Sequence, residues 1–230
     1  FYVIFLKNNH KYIIRGGDYM AQTVTQLNNV FIQEINPYTF GIYECKCGKR
    51  NTGIANYFNL NYFTVLGDGT FYSCGNLAHD GIIVQESKNI ANWVDVSRKQ
   101  LSTMCVYENN TVDIIKTDTL SNKNIKTAVS GIPITKDGQA VTLTNVKAEG
   151  YDGSQLYNTW HGFLGIRNGK IVYVAAKIGT LTNMVNLMLA LGIKDSIKVD
   201  GGGSFILSDH AKVLASTEGN RKIHAIGMWE

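Results

Sequence analysis

Apolar and polar residues alternate along most of the chain in short runs that turn dipeptides separate. A period of two is typical of β-strands with one buried face, and turns between such runs indicate hairpins. Residues 163–177 (FLGIRNGKIVYVAAK) and 102–116 (STMCVYENNTVDIIK) each hold two runs. We expect the first to turn at Asn168-Gly169 and the second at Asn109-Asn110, because these residues tolerate positive φ. Three Asp-Gly pairs predict further turns at Asp68-Gly69, Asp80-Gly81 and Asp137-Gly138.

The clearest helical pattern covers residues 179–193 (GTLTNMVNLMLALGI). Its apolar residues recur at i, i+3, i+4 and i+7 from Met184 to Leu191, threonines precede them as N-cap candidates, and Gly192 follows as a stop signal. The helix is expected to pack on a sheet, with its methionines filling the core. The pattern of residues 86–100 is ambiguous, and a short helix is one interpretation of it. Together these patterns predict an α+β fold: a strand-rich single domain with mainly antiparallel sheet and a few packed helices.

Composition is consistent with one globular domain, since the 230 residues are 44% hydrophobic and 17% charged without a change of composition along the chain. The formal charge of +4 comes from 22 basic and 18 acidic residues that form no long basic run. Nucleic acid is therefore not an expected partner, whereas a small anionic ligand is. The four cysteines have neither the CxxC spacing of a zinc site nor the density of a disulfide scaffold, so we expect no metal and a reducing compartment.

The first residues bear on localisation and on where the domain begins. Residues 1–6 (FYVIFL) are too short to span a bilayer and lack the pattern of a signal peptide, so neither a membrane nor export is expected. Because the chain does not begin with Met, two origins are open: a fragment of a longer protein, or translation from Met20 after a leader. We predict an N-terminal extension over 1–28 and the main domain over 29–230, in the cytoplasm or, for a fragment, in a phage virion.

One carboxylate stands beside three glycines and a serine in residues 198–209 (KVDGGGSFILSD). Glycines after a strand can form a concave set of backbone N–H donors for an anion. The segment is neither a GxGxxG fingerprint nor a P-loop, because a strand-like run follows Gly203. It also lacks GxSxG spacing, so Ser204 is expected to form hydrogen bonds and not to act as a nucleophile. Spacing alone favours a tight turn closed by Asp200 over a binding site.

The helix, the short strand and VDGGGS follow one another in residues 186–207 (NLMLALGIKDSIKVDGGGSFIL), and this order resembles a segment of the phosphodiester glycosidase family. The similarity extends over about 29–230 and suggests a bacterial or phage member. Weaker resemblances lie in 128–141 (AVSGIPITKDGQAV), 161–174 (HGFLGIRNGKIVYV), 219–229 (GNRKIHAIGMW), 59–63 (NLNYF) and 79–84 (HDGIIV).

The chain departs from the family pattern at two places. His161-Gly162 stands where the family usually shows Arg-Thr, so a fixed positive charge is replaced by a group whose charge depends on pH. Near the front, Leu60 and Asn61 occupy two glycine positions of the family, and residues 54–58 (IANYF) are a rival alignment.

The resemblance implies hydrolysis of the bond between sugar and phosphate in a sugar-1-phosphodiester, without a metal or other cofactor. Asp200 is then expected to stabilise the anomeric centre, orient a water or act as a base, and Arg221 to contact phosphate oxygens. His161 is expected to contact phosphate or to shuttle a proton, and Asn59 to bind a sugar hydroxyl or the phosphate. The implied catalytic residues are Asp200, His161 and Arg221, and the implied substrate-binding residues are Asn59, Gly201, Gly202, Gly203 and Ser204.

Each of these residues also has a purely structural interpretation. Asp200 would cap the glycine turn, Arg221 would be a solvated charge at a strand edge, Asn59 would belong to a turn, and His161 would be a buried structural histidine. At the level of function, two alternatives to the hydrolase stay open. One is a non-catalytic module that binds a phosphorylated sugar or nucleotide-derived ligand, and the other is a structural domain of a phage or surface assembly. The oligomeric state has no signal in the sequence.

Overall fold

The structure is a computed structural model of the chain. It describes residues 2–7, 10–15, 25–27, 29–44, 63–68, 71–72, 79–80, 83–85, 88–91, 100–117, 124–202, 205–209, 212–217 and 224–229.

The described residues are mostly β-strand. In chain order the strands are β1 (Tyr2–Lys7), β2 (His10–Arg15), β3 (Thr25–Leu27), β4 (Val30–Ile35), β5 (Phe40–Glu44), β6 (Phe63–Asp68), β7 (Phe71–Tyr72), β8 (His79–Asp80), β9 (Ile83–Gln85), β10 (Lys88–Ala91), β11 (Leu101–Tyr107), β12 (Val112–Thr117), β13 (Ile125–Ser130), β14 (Ile132–Lys136), β15 (Gln139–Ala140), β16 (Thr159–Arg167), β17 (Lys170–Ile178), β18 (Asp195–Gly201), β19 (Ile206–Asp209), β20 (Lys212–Ser216) and β21 (His224–Trp229). The helices are α1 (Leu143–Ala148) and α2 (Leu181–Ala190), with a 3-10 turn over Ser154–Leu156.

A sheet of seven strands forms the centre of the described structure, in the order β15-β14-β18-β16-β17-β4-β3. Its strand pairs are antiparallel. The predicted hairpin of β16 and β17 is confirmed: Arg167 pairs with Lys170, and Asn168 and Gly169 have φ of 53° and 72°. Both central residues of the turn are left-handed, as a two-residue hairpin requires. Strand β3 lies in the stretch predicted as an extension, and the boundary at residue 28 stays a prediction.

The other described strands form smaller antiparallel sheets. Five strands have the order β10-β9-β13-β11-β12, three have the order β5-β21-β6, and the remaining pairs are β1-β2, β7-β8 and β19-β20. The predicted hairpin of β11 and β12 is confirmed, with Asn110 at φ 61° in its turn. The turn at Asp137-Gly138 is also confirmed. Gly69 and Gly81, of the other two Asp-Gly pairs, lie outside the described residues.

Helix α2 confirms the predicted helix with shorter bounds. The Thr180 side chain accepts a hydrogen bond from the Asn183 backbone, which caps the N-terminus. At the other end Gly192 has φ 72°, and the amides of Gly192 and Ile193 donate to the carbonyls of Leu189 and Met188. This is a Schellman motif, which ends the helix and turns the chain into β18. In residues 86–100 the structure places strand β10, and 92–99 lie outside the described residues.

Two apolar layers cover the two faces of the seven-stranded sheet. Alternate residues of β16, β17 and β18, among them Leu164, Tyr173 and Val199, pack with residues of the five-stranded sheet. The intervening residues, such as Phe163 and Val174, pack with the helices. Because both faces are covered, these strands read as nearly continuous apolar runs. The domain is therefore a single α+β unit, as predicted. No helix among the described residues is long and apolar enough to cross a membrane.

A buried carboxylate ties helix α1 to the five-stranded sheet. Glu149, at the C-cap of α1, is 3% exposed. Its two oxygens accept hydrogen bonds from the Ser102 backbone at 2.7 Å and the Ser102 hydroxyl at 2.9 Å. Lys116 on β12 lies 3.3 Å from the same carboxylate. Because a buried charge is costly without partners, this set holds α1 against the edge of β11. Glu149 is thus assigned a structural role here.

Candidate functional site

The carboxylate of Asp200 lies where β18 ends, inside an irregularity of the sheet. His161 on β16 pairs with Gly201, and Phe163 pairs with Lys198, so two residues of β18 stand opposite the single residue Gly162. Such a bulge increases the local twist and redirects side chains, and bulges are frequent beside active sites. The Asp200 Oδ1 accepts a hydrogen bond from the Gly201 amide at 2.8 Å. This bond orients the carboxylate at the start of the glycine turn.

The two described glycines of the turn are required by their surroundings. A Cβ on Gly201 would lie 2.7 Å from the Trp160 carbonyl oxygen and 3.2 Å from the His161 Cα, so the two strands approach too closely for any side chain. Gly202 has φ 64°, and a Cβ there would overlap the Tyr157 hydroxyl. The Gly202 carbonyl accepts from the Thr217 hydroxyl at 2.6 Å. The turn is therefore held against β16 on one side and Thr217 on the other.

The His161 side chain lies on the same face of the sheet as Phe163 and is 1% exposed. Its Nε2 is 2.8 Å from the carbonyl oxygen of Tyr157. A carbonyl can only accept a hydrogen bond, so Nε2 carries a hydrogen. Nδ1 is also buried, and no described atom has hydrogen-bond geometry with it. The neutral ring therefore presents Nδ1 as a bare acceptor.

Burial and a neighbouring cation keep the His161 ring neutral. Desolvation, and then the charge of Lys198, lower the pKa of His161 to about 3. The backbone groups of Tyr157 and Ile178 favour the protonated ring but do not cancel these two causes. The ring is thus uncharged at neutral pH. The sequence predicted that the charge of His161 depends on pH. In the folded chain the ring becomes charged only far below the physiological pH range.

We expect His161 to make the protein less stable in mild acid. The unfolded chain binds a proton on this ring near pH 6.5, whereas the folded chain does so only near pH 3, so protons favour unfolding between these values. Above pH 6.5 the ring is mostly neutral in both the folded and the unfolded chain, so it does not lower the free energy of unfolding. Between pH 7 and pH 5 the free energy of unfolding falls by about 2 kcal/mol because of this residue. Urea unfolding of the wild type and of His161→Gln at both pH values measures the difference. An equal pH dependence in the two chains would show that His161 is not buried as a neutral ring.

Lys198 is a site residue that the sequence analysis did not select. Its side chain is 1% exposed, and its Nζ donates to the Val199 carbonyl at 3.0 Å. It lies two residues before Asp200 on β18, and its charge acts on His161. A signal was present in the sequence, since Lys198 lies between the apolar residues Ile197 and Val199 of a predicted strand, and lysine is almost never fully buried unless it is paired.

Tyr157 is a second residue that the sequence analysis did not select. It follows the 3-10 turn, is 57% exposed, and places its hydroxyl over Gly202. Its ring lies edge-on to His161 with centroids 6.1 Å apart. Tyr157 therefore presents an exposed aromatic ring next to the glycine turn.

The structure brings together the predicted site residues that it describes, which are Asp200, Gly201, Gly202 and His161. The other four, Asn59, Gly203, Ser204 and Arg221, lie outside the described residues, and their roles stay predictions. Strand β6 follows Asn59 and strand β21 follows Arg221. In their antiparallel pair Phe63 is opposite Trp229 and Asp68 is opposite Ala225, so the two strands begin at opposite ends.

The described part of the chain contains no group of three His, Cys, Asp or Glu side chains that could hold a metal ion. The side chains at this site are a carboxylate, a buried ammonium, a neutral imidazole and an exposed phenol. They provide one negative charge, one positive charge, one bare acceptor and one aromatic face.

A comparison with protein-family models matches residues 61–226 to the phosphodiester glycosidase family. The chain therefore belongs to this family, as the DGGGS segment suggested. At a coarse level this membership makes the protein a hydrolase-like enzyme. A search of curated proteins gave no match.

Solved structures share the fold at low sequence identity. The catalytic domain of zebrafish N-acetylglucosamine-1-phosphodiester alpha-N-acetylglucosaminidase, auto-inhibited by its pro-peptide, superposes with a TM-score of 0.70 at 11% identity. That match covers 100% of this chain and 81% of the zebrafish chain. A hypothetical protein from Synechocystis has a TM-score of 0.60 at 12% identity, with 91% of this chain and 61% of that chain covered. These similarities show the architecture.

Proposed function

We propose that this protein hydrolyses the glycosidic bond of a sugar-1-phosphodiester or a related glycosyl-phosphate linkage. The observation that carries the proposal is the position of Asp200, whose carboxylate is oriented by the Gly201 amide in a β-bulge next to His161. Family membership supports the reaction class. The zebrafish enzyme with the same fold is named for a sugar-1-phosphodiester, which supports the substrate class.

The proposed reaction adds water to the anomeric carbon and breaks its bond to the phosphate oxygen, which releases a sugar and a phosphomonoester. The leaving oxygen belongs to a phosphate, so it departs as a stabilised anion and needs less help from a general acid than an ordinary glycoside does. Positive charge develops on the sugar ring in the transition state. Asp200 is the described group that can stabilise this charge or take the proton from the water.

The phosphate is expected to be bound by cations and backbone amides. The predicted contact from Arg221 and the turn residues Gly203 and Ser204 supply donors in this proposal, and Lys198 adds a buried positive charge two residues from Asp200. In this proposal the exposed ring of Tyr157 packs against the sugar. Because no second catalytic carboxylate is assigned, the proposal does not specify which group acts as acid, base or nucleophile.

Incubation of the wild-type protein with a panel of sugar-1-phosphodiesters, followed by mass analysis of the products, tests the proposal. We expect a free sugar and a phosphomonoester from at least one member, and reaction in ¹⁸O-labelled water should place the label on the sugar. Label on the phosphate would mean cleavage of the phosphorus–oxygen bond and would contradict the proposed reaction.

A binding module without turnover is the second candidate, and one observation favours it. His161 is buried and neutral, so the position where the family shows an arginine has no positive charge in this chain. If the same panel yields saturable binding by calorimetry but no product, the protein sequesters the ligand and does not cleave it.

A further inference from the structure

His161 Nδ1 is a buried polar atom that the proposed reaction leaves without a role. Nε2 is bound to the Tyr157 carbonyl at 2.8 Å, which fixes the tautomer, and Nδ1 has no hydrogen-bond partner among the described atoms. Buried polar groups in folded proteins are nearly always hydrogen-bonded, and exceptions call for a bound water, a ligand or a functional explanation. An acceptor in this position needs a donor from outside the described chain.

Nδ1 faces the glycine turn. Nδ1 lies 3.4 Å from the position that a Cβ on Gly201 would occupy, and Gly201 is the residue that follows Asp200. Strand β17 presents Ala176 opposite the ring, and Tyr157 closes the ring edge-on. Lys198 is the charged group of the described residues that acts on the ring. The backbone of Ile178 also acts on the ring, but a carbonyl can only accept, so no described group supplies a hydrogen bond to Nδ1.

We propose that His161 Nδ1 accepts a hydrogen bond from a hydroxyl group beside the Asp200–Gly202 turn, either that of the sugar or that of a bound water, and that the phosphate binds away from it. A phosphodiester is anionic at neutral pH, and all of its oxygens are acceptors, so it cannot donate to a bare nitrogen. Burial and the charge of Lys198 disfavour the protonated ring, and a neutral ring with its hydrogen on Nε2 has no donor at Nδ1 for a phosphate oxygen. The inference deepens the proposed function and rests on it for the kind of ligand.

In this proposal His161 positions or selects a hydroxyl group, and Lys198 helps to keep the His161 ring neutral. The ammonium of Lys198 lowers the affinity of the imidazole for a proton. Nδ1 consequently stays an acceptor over the whole physiological pH range.

Nitrogen-15 NMR of the full chain labelled at its five histidines tests the proposal without any need for turnover. The His161 ring is assigned as the one that His161→Gln removes or, if that variant does not fold, as the ring that stays neutral at pH 4.5. The probes are methyl α-glucoside, methyl α-mannoside and methyl N-acetyl-α-glucosaminide, with inorganic phosphate as the anion alone.

We expect a neutral ring with hydrogen on Nε2, and a shift of Nδ1 to lower frequency when one of the sugars is added. That shift identifies the sugar hydroxyl as the donor. A Nδ1 signal that is already hydrogen-bonded in the free protein and does not change with sugar identifies a bound water. Protonation of Nδ1, the other tautomer, a free Nδ1 that no sugar shifts, or a direct response of Nδ1 to phosphate would overturn the proposal.

A second variant tests the part that Lys198 plays. In Lys198→Met the pKa of His161 is expected to rise, because one of the two causes that lower it is removed, and the ring should still be neutral at pH 7 because burial remains. An unchanged pKa of His161 would remove Lys198 from the proposal. Failure of the proposed hydrolysis would appear separately, as sugar binding at Nδ1 without products from the phosphodiester panel.

Discussion

Replacing Asp200 with asparagine is expected to lower kcat on the cleaved sugar-1-phosphodiester by about a thousandfold, which corresponds to about 4 kcal/mol of transition-state stabilisation. The Oδ1 of asparagine can still accept the hydrogen bond that the Gly201 amide donates, so the turn should keep its conformation. The negative charge beside the anomeric carbon is lost. Product formation by mass analysis gives kcat and KM, and circular dichroism during heating confirms the fold.

Asp195→Asn is the matched control for this prediction. Asp195 lies on the same strand at its other end, where it pairs with Lys136 at 3.0 Å and accepts from the Asp137 amide. Asp195→Asn makes the same chemical change as Asp200→Asn but at the far end of the strand, so kcat should stay near the wild-type value. Folded Asp200→Asn protein with wild-type turnover would show that Asp200 only closes the turn. Arg221→Ala tests the predicted phosphate contact separately, and wild-type KM and kcat in that variant would remove Arg221 from the site.

Replacing Glu149 with alanine is expected to destabilise the fold by about 3 kcal/mol, because the buried Ser102 amide and hydroxyl lose a charged acceptor and find no substitute. For a chain of this size the melting temperature should fall by roughly 6–12 °C. The physical cause is the desolvation of unpaired groups and not the loss of the exposed part of the ion pair with Lys116. Calorimetry and urea unfolding measure the change.

Two variants separate these contributions. Lys116→Ala removes a half-exposed partner and should cost less than about 1 kcal/mol, as surface ion pairs do. Glu149→Gln keeps an acceptor for Ser102 and should fall between the two. A loss in Lys116→Ala as large as in Glu149→Ala would mean that the ion pair, and not the hydrogen bonds to Ser102, holds α1 in place.

Local features of this fold were predictable because short-range chemistry determines them. The turn at Asn168-Gly169 requires two residues at positive φ, and few pairs accept that conformation as readily as Asn-Gly. Helix α2 was predictable for a similar reason, since apolar residues at helical spacing lie between a capping threonine and Gly192. Helix α1 was not predicted, because six residues carry too short a pattern, although the capping box of Thr142 and Asn145 marks its start.

The candidate site was predictable only in part. Resemblance to the family selected Asp200, Gly201, Gly202 and His161 among the described residues, and the register of β16 and β18 brings them together. Lys198 and Tyr157 were missed, since their importance comes from burial and from contacts across strands and turns. The role of Glu149 has no local sequence signal either, because its partner Ser102 is 47 residues away in the chain.

By itself the sequence determined the strand-rich α+β class, the two hairpins, helix α2 and the family, because each depends on short patterns or on the one segment around DGGGS. Only the tertiary structure decided the electrostatics of the site. The packing of β16 against β18 buries His161 and Lys198 together, and burial with a neighbouring cation brings the pKa of the imidazole to about 3. A sequence shows a histidine, whereas its protonation depends on solvent exclusion and on neighbours that come from other strands.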